Sequence, residues 1–213
     1  LASAAAERVG RGGQMMGLDA NEEMLSVARR KHADIEWRAG QAEALPFEDQ
    51  TFDAVISQFG FMFFSDQPRA LQEMMRVLRP SGRLAVAVCD ALDHSPGYAV
   101  FAELLHRLFG ERVVEAFRAP FASGDSALLL AACDEAGIGE ATVARHDGRV
   151  RFASIDALVS TERACAWTLG GVLDDSEFER LQDKAEESLR PFVNADGDVD
   201  FLMPVLILTA TRP

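Results

Sequence analysis

Asp19 is the residue whose type and position could do the most chemistry. It closes the short apolar run MMGLD inside residues 14–31, QMMGLDANEEMLSVARRK. That stretch reads as a buried strand that turns at once into a helix. In an open α/β sheet, ligands sit beyond the carboxyl ends of the strands, and a carboxylate there can accept both hydroxyls of a ribose. A plain negative charge at a helix start would use the same residue; the strand end favours the ligand. Two further candidates follow the apolar run of residues 83–89, RLAVAVC: His94, in the loop DHSPGY, and Tyr98. Either could orient or deprotonate a substrate in the cleft at that strand's end, and His94 could equally cap its own loop. No metal site is expected. The four histidines (His32, His94, His106, His146) form no HxxxH or HxH pair, and the three cysteines (Cys89, Cys133, Cys165) form no CxxC. The cysteines read as buried small hydrophobes in a reducing cytoplasm.

The elements that must position these residues follow from patterning. A chain of 213 residues can bury a substantial core as one domain, or as one domain with a cap. Its net charge of −13 argues against a nucleic-acid backbone as partner and disfavours an anionic membrane surface. No apolar run is long enough to span a membrane. The opening LASAAAERVG lacks Met and reads as the end of a first helix closed by Gly10. Gly10, Gly12, Gly13 and Gly17 fail the dinucleotide fingerprint, because Met15 stands where a glycine is needed and the order is helix then strand. They read as a helix-to-strand turn. Asn21 is the expected N-cap of the next helix, with Glu22 and Glu23 in its first turn and Met24, Leu25, Val27 and Ala28 as its apolar face. Residues 35–38 form a short strand followed by the loop AGQAEALPFED. Residues 52–59, FDAVISQF, read as the clearest buried strand. Asp66 and Pro68 start a helix striped by Leu71, Met74, Met75 and Leu78. Residues 79–82, RPSG, read as a turn in which Pro80 fixes φ and Gly82 supplies a positive one. Strands alternating with helices imply a mostly parallel sheet. From Asp90 the texture becomes helical, apart from a strand or hairpin near residues 142–152 and the apolar strand VLILTAT near the end.

This order of features resembles class I S-adenosylmethionine-dependent methyltransferases, in particular the methyltransferase type 11 branch that includes ubiquinone and menaquinone biosynthesis enzymes. GLDANEEMLSVARRK, GQAEALPFEDQTFDAVISQFGFMFF, ALQEMMRVLRPSGRL and VLILTAT carry the likeness over about half the chain. The resemblance implies an α/β fold: a Rossmann-like, doubly wound, mostly parallel sheet with an antiparallel C-terminal strand and a helical cap. It implies one domain over residues 1–213. Residues 1–90 would be the cofactor-binding half, 91–200 the helical cap and substrate region, and 201–213 the terminal strand. It implies S-adenosylmethionine as cofactor and a small-molecule methyl acceptor. Asp19 would hold the ribose hydroxyls. Ala20 and Met24 would lie against the adenine or support its loop. Gln41, Ala42 and Glu43 would border the adenine edge. Gln58 and Phe59 would lie near the methionine portion. The first strand and glycine-rich loop of the family do not precede Asp19, so an N-terminal truncation of about 40 or more residues is expected. Gln41 stands where the family usually has Asp, and its amide oxygen can still take a bond from the adenine amino group.

Methyl transfer needs placement more than a dedicated base, so no catalytic residue is fixed beyond the candidates His94 and Tyr98. The cap aromatics and Trp167 could line an apolar acceptor pocket or form the cap's own core. A nicotinamide-dependent oxidoreductase would also place an acid after its second strand. Against it, Ala102 stands four residues after Tyr98, the only tyrosine, where a Tyr-x-x-x-Lys pair needs lysine. A degenerate, non-catalytic methyltransferase domain is the other alternative. The acceptor and the oligomeric state are open.

Overall fold

The computed structural model describes residues 1–10 and 12–213. In chain order the elements are α1 (Ala2–Val9), β1 (Met16–Asp19), α2 (Glu22–Lys31), β2 (Glu36–Ala39), β3 (Phe52–Gln58), α3 (Gln67–Val77), β4 (Leu78–Cys89) and α4 (Pro96–Phe109). There follow α5 (Glu111–Arg118), α6 (Ser126–Glu135), β5 (Ala141–His146), β6 (Arg149–Phe152), α7 (Ile155–Ala164), α8 (Asp175–Leu189), β7 (Val199–Leu202) and β8 (Val205–Thr211). The expected helix-to-strand turn after α1 includes Arg11, which lies outside the described residues.

The sheet is in pieces. β1 and β2 pair in parallel, while β3, β4, β8 and β5 form a four-stranded sheet in that order. Within it β3 and β4 are parallel, and β8 runs antiparallel to both β4 and β5. Among the described residues no ladder joins β1 to β3. A separate hairpin-like pair, β6 with β7, sits in the cap. Residues 141–152 are therefore two strands serving two sheets. β7 was not foreseen, because four residues of mixed polarity carry too short a period to read.

Two hydrophobic cores organise the chain. In the first, Leu71 and Met74 of α3 and Leu129 and Cys133 of α6 cover one face of the sheet, against Leu84, Val86, Val88, Leu206 and Leu208. In the second, Phe101, Leu105, Phe117, Leu158, Leu181 and Phe201 gather α4, α5, α7, α8 and β7 into the cap, with Cys89 at the tip of β4. Met62 packs against both.

The opposite sheet face is open. Ala54, Ile56, Arg83, Thr142 and Thr209 line a broad depression of about 790 Å³ there, and Ile56 is 41% exposed. β3 is thus not the buried strand its apolar run suggests. Among the described residues, helices cover only one of its faces, and one of its edges has no strand partner.

The turn at residues 79–82 is a bulge inside β4. Phe52 pairs with Leu78 and Ala54 with Arg83, so the intervening residues loop out of the ladder. The roles within it are exchanged relative to expectation: the positive φ, 64°, belongs to Ser81. Gly82 is needed for a different reason. A Cβ there would stand 2.8 Å from the Arg79 carbonyl oxygen.

Candidate active site at the carboxyl ends of the strands

Asp19 is the last residue of β1, and its register partner Ala39 is the last of β2. The Asn21 amide donates to Asp19 Oδ1 at 2.8 Å. Asn21 Oδ1 in turn accepts from the Glu23 and Met24 amides, capping α2 as the sequence indicates. These short-range bonds fix the strand-to-helix turn and hold the carboxylate at the strand end. Ala20 and Met24 are exposed on the same turn.

The Gly40 amide donates to the Asp19 carbonyl at 3.1 Å, which sets the loop after β2 beside Asp19. A Cβ on Gly40 would lie 3.0 Å from Leu18 Cδ1 and 3.3 Å from Pro46 Cδ, a tight fit in which both neighbours would have to give by a few tenths of an ångström. Gln41 bridges to Ala44 and is exposed. Ala42 turns its methyl into the sheet core, leaving only its backbone for a ligand. Glu43 spends its carboxylate on the Ser65 amide and hydroxyl and on the Asp66 amide. Burial raises the pKa of Glu43, but these hydrogen bonds outweigh it and hold the carboxyl below its usual range. Glu43 therefore ties the loop to the start of α3.

A clamp that sequence reasoning missed holds the rest of this loop. Arg76 donates Nε to Glu73 Oε1 at 2.8 Å and Nη2 to Oε2 at 2.7 Å. The same guanidinium reaches Asp49 and the carbonyls of Phe47 and Leu45, and Glu73 accepts from the Leu45 amide. Glu73 is only 4% exposed, and its bonds to Arg76 outweigh burial and hold its carboxyl below the usual pKa. The spacing of three on a helix was the available signal, but it does not reveal that both side chains grip a loop about 30 residues upstream.

Gln58 and Phe59 sit at the carboxyl end of β3, on the other sheet. Phe59 holds a left-handed backbone, φ 56°, an outlier for a bulky residue. Its amide still donates to the Ala87 carbonyl at 2.9 Å.

On the cap side, His94 Nδ1 lies 2.9 Å from Asp90 Oδ2, which also accepts from Arg145 Nε at 2.7 Å. Burial raises the pKa of Asp90, but Arg145, the Ala91 amide and His94 more than offset it, so the carboxyl is held low. A fixed carboxylate orients the imidazole and leaves Nε2 for another partner. Tyr98 is 7% exposed, wedged edge-on among Phe117, Phe121 and Phe201. Burial pushes its phenol up, as does the Glu162 carboxyl facing it. The structure thus brings Asp19, Ala20, Met24, Gln41, Ala42 and Glu43 to the ends of one parallel pair. It places Gln58 and Phe59 on the neighbouring sheet, and His94 and Tyr98 where that sheet meets the cap. Among the described residues no cluster could hold a metal ion.

Residues 1–86 match the methyltransferase domain family. Demethylmenaquinone methyltransferase of Renibacterium salmoninarum is 41% identical over 93 residues, which are 44% of this chain and 39% of that protein. The chain spans about half or less of the length of the curated relatives it matches. Among solved structures, a candidate methyltransferase of Bacillus halodurans superposes with a TM-score of 0.57 at 20% identity, covering 94% of this chain and 83% of that one. Phosphoethanolamine N-methyltransferase 2 of Haemonchus contortus, solved with phosphomonomethylethanolamine and S-adenosylhomocysteine, gives 0.57 at 16% identity, covering 99% and 46%. At such identities the superpositions speak for the fold, while the sequence match speaks for the first half. Residues 1–86 thus resemble a methyltransferase domain in sequence, and the chain shares the Rossmann-like fold of the solved methyltransferases on which it superposes.

Proposed function

We propose that this chain binds S-adenosylmethionine beyond the carboxyl ends of β1, β2 and β3 and directs its methyl group to a small apolar acceptor. The observation that carries the reading is the Asp19 carboxylate. It is fixed at a strand end through one oxygen, beside a loop that packs tightly against Leu18 at Gly40. That arrangement fits a ribose and an adenine. When bound, the cofactor supplies an electrophilic methyl on a sulfonium. The chain's own residues do the placing. Asp19 accepts the ribose hydroxyls. Ala20 and Met24 flank the adenine, and Gln41 with the Ala42 and Glu43 backbone borders its edge. Gln58 and Phe59 border the methionine portion. His94, held by Asp90, orients the acceptor. The relatives named for demethylmenaquinone support a quinone-like ring as acceptor. The cytoplasm fits this chemistry, and no described helix is long and apolar enough to cross a membrane.

A second reading, a nucleoside-binding domain without turnover, is favoured by one observation: among the described residues the ladder does not continue from β1 to β3. Calorimetric titration with S-adenosylmethionine and S-adenosylhomocysteine, with Asp19→Ala beside the unaltered chain, tests both. Saturable binding that the substitution weakens tenfold or more (~1.4 kcal/mol) is the expected result. Absence of binding, or binding indifferent to Asp19→Ala, would remove the cofactor site from this place.

A further inference from the structure

The outward face of the four-stranded sheet is too apolar to stand in water alone. Where a sheet is covered on one side only, the other side is normally polar. Here the residues that alternate away from the core are small or apolar: Ile56 on β3, Ala85 and Ala87 on β4, Ile207 on β8 and Ala144 on β5. Ile56 is 41% exposed and lines the depression of about 790 Å³ described above. The described helices that pack on this sheet, α3 and α6, do so on its other face. The two hydroxyls in the middle of the open face, Thr142 and Thr209, bond each other at 2.8 Å. Covering them would leave neither without a partner.

Two charges mark the face, and their register is symmetrical about β8. Thr211 of β8 has Arg83 of β4 as its partner on one side. On its other side, Glu140 precedes Ala141, whose partner is Ala210, and so stands level with Thr211. Arg83 and Glu140 both line the depression and both are exposed. Nearby, Arg79 is paired with Asp53, and Arg145 with Asp90 and Asp147. Among the described residues, Arg83 and Glu140 have no such partner. A half-turn about an axis laid along β8 exchanges their places. The small side chains repeat the pattern, since Ala87 and Ala144 flank Ile207 from the two sides.

We infer that this face is the interface at which two copies of the chain pack sheet on sheet, about a twofold axis running along β8. A twofold contact is self-complementary: if one residue meets another, the second copy repeats the contact in reverse. Laid in this way, Arg83 of each copy faces Glu140 of the other. Ile207 meets its own counterpart on the axis, and the alanines on either side let the two sheets approach to roughly 10 Å. Apolar burial drives the association, and the two exposed ion pairs fix its orientation more than its strength. The contact has no net charge of its own, because Arg83 balances Glu140. Repulsion between two chains of net charge −13 is screened beyond about 8 Å at physiological salt. Strands ~4.8 Å apart and rising ~3.3 Å per residue give the face a span of roughly 19 by 23 Å, small against the ~800 Å² per partner of a standard interface. Micromolar rather than nanomolar dissociation is therefore expected. A half-turn about β8 keeps strand direction, so the carboxyl ends of both sheets point to the same end of the dimer.

Sedimentation velocity of the full chain from about 1 to about 300 µM, a range that brackets a micromolar equilibrium, reads the mass directly. The expected result is a reversible rise from 23.2 kDa towards twice that mass. Arg83→Glu sets acid against acid at both contacts and should weaken dimerisation by about tenfold or more, as should Glu140→Arg, which sets base against base. Arg83→Glu combined with Glu140→Arg restores both pairs with their signs exchanged, and should return the dissociation constant to within about threefold of that of the unaltered chain. Thr209→Arg places a charge in the middle of the face and should leave a monomer. All three positions are exposed, and far-UV circular dichroism checks that each variant keeps its fold. A monomer at every concentration overturns the inference and leaves the face to another segment or to a different protein. A dimer indifferent to Thr209→Arg moves the interface elsewhere and overturns it too. A doubly reversed chain that dimerises no better than the single reversals overturns the twofold register on which the inference stands.

Discussion

At the scale of single residues, the bulge in β4 concentrates strain on one position. Ser81 adopts φ 64°, which a side chain disfavours, while its amide still donates to Arg212 at 2.9 Å. Ser81→Gly keeps that bond and relieves the backbone, so it should stabilise the chain by about 0.5–1 kcal/mol in urea unfolding. Gly82→Ala should do the reverse, because its Cβ would collide with the Arg79 carbonyl. A neutral or negative Ser81→Gly would mean that the left-handed residue carries no strain. Residue roles that depend on near neighbours were legible in the sequence. Asp19 at its strand end and Asn21 as a cap both emerged from spacing alone. The tie made by Glu43 was not legible, because nothing in its own loop announces Ser65 and Asp66. The amides that occupy its carboxylate stand 22 and 23 positions later in the chain.

At the scale of elements, α3 does more than bury a stripe. Its apolar positions Leu71 and Met74 pack on the sheet as their spacing indicates, but its polar face holds the loop after β2. Glu73 is buried with its carboxylate satisfied mainly by Arg76. Arg76→Ala leaves that carboxylate only the longer Arg69 pair at 3.3 Å and the Leu45 amide, and frees the Leu45 and Phe47 carbonyls. A loss on the order of 2–3 kcal/mol is expected, below the cost of a fully buried pair because Arg76 is partly exposed. Limited proteolysis should then cut first within residues 44–50, and unfolding in urea should give the energy. An Arg76→Ala chain of unaltered stability and unaltered cleavage would show that Arg76 is not what holds the loop. The contrast with β3 is instructive. Its apolar run was read as fully buried, yet Ile56 and Gln58 face solvent. An apolar run reports what a strand could bury; which face is covered depends on helices placed elsewhere in the chain.

At the scale of the whole molecule, stability is unevenly shared between the two halves that the chemistry must bring together. The cap and the β4–β8 region each own a core of many fully buried side chains. Among the described residues up to 39, only Leu25 and Ile35 are buried, and α1 buries none. The proposed ribose end of the site therefore rests on the least consolidated part of the chain, joined to the rest chiefly through the loop clamped by Arg76. Native-state hydrogen exchange should resolve this division. Amides of β1, β2 and α2 should open locally, with protection at least tenfold (~1.4 kcal/mol) below that of α4, β4 and β8. S-adenosylhomocysteine should then raise protection in β1 and β2, since a ligand stabilises the state that binds it, and leave α4 and α8 at the global limit. Uniform protection across both halves would mean that β1 and β2 draw stability from contacts beyond their own ladder. Protection gained only in the cap would move the cofactor to the wrong end of the molecule, because the Asp19 carboxylate can respond to a nucleoside only where β1 and β2 end.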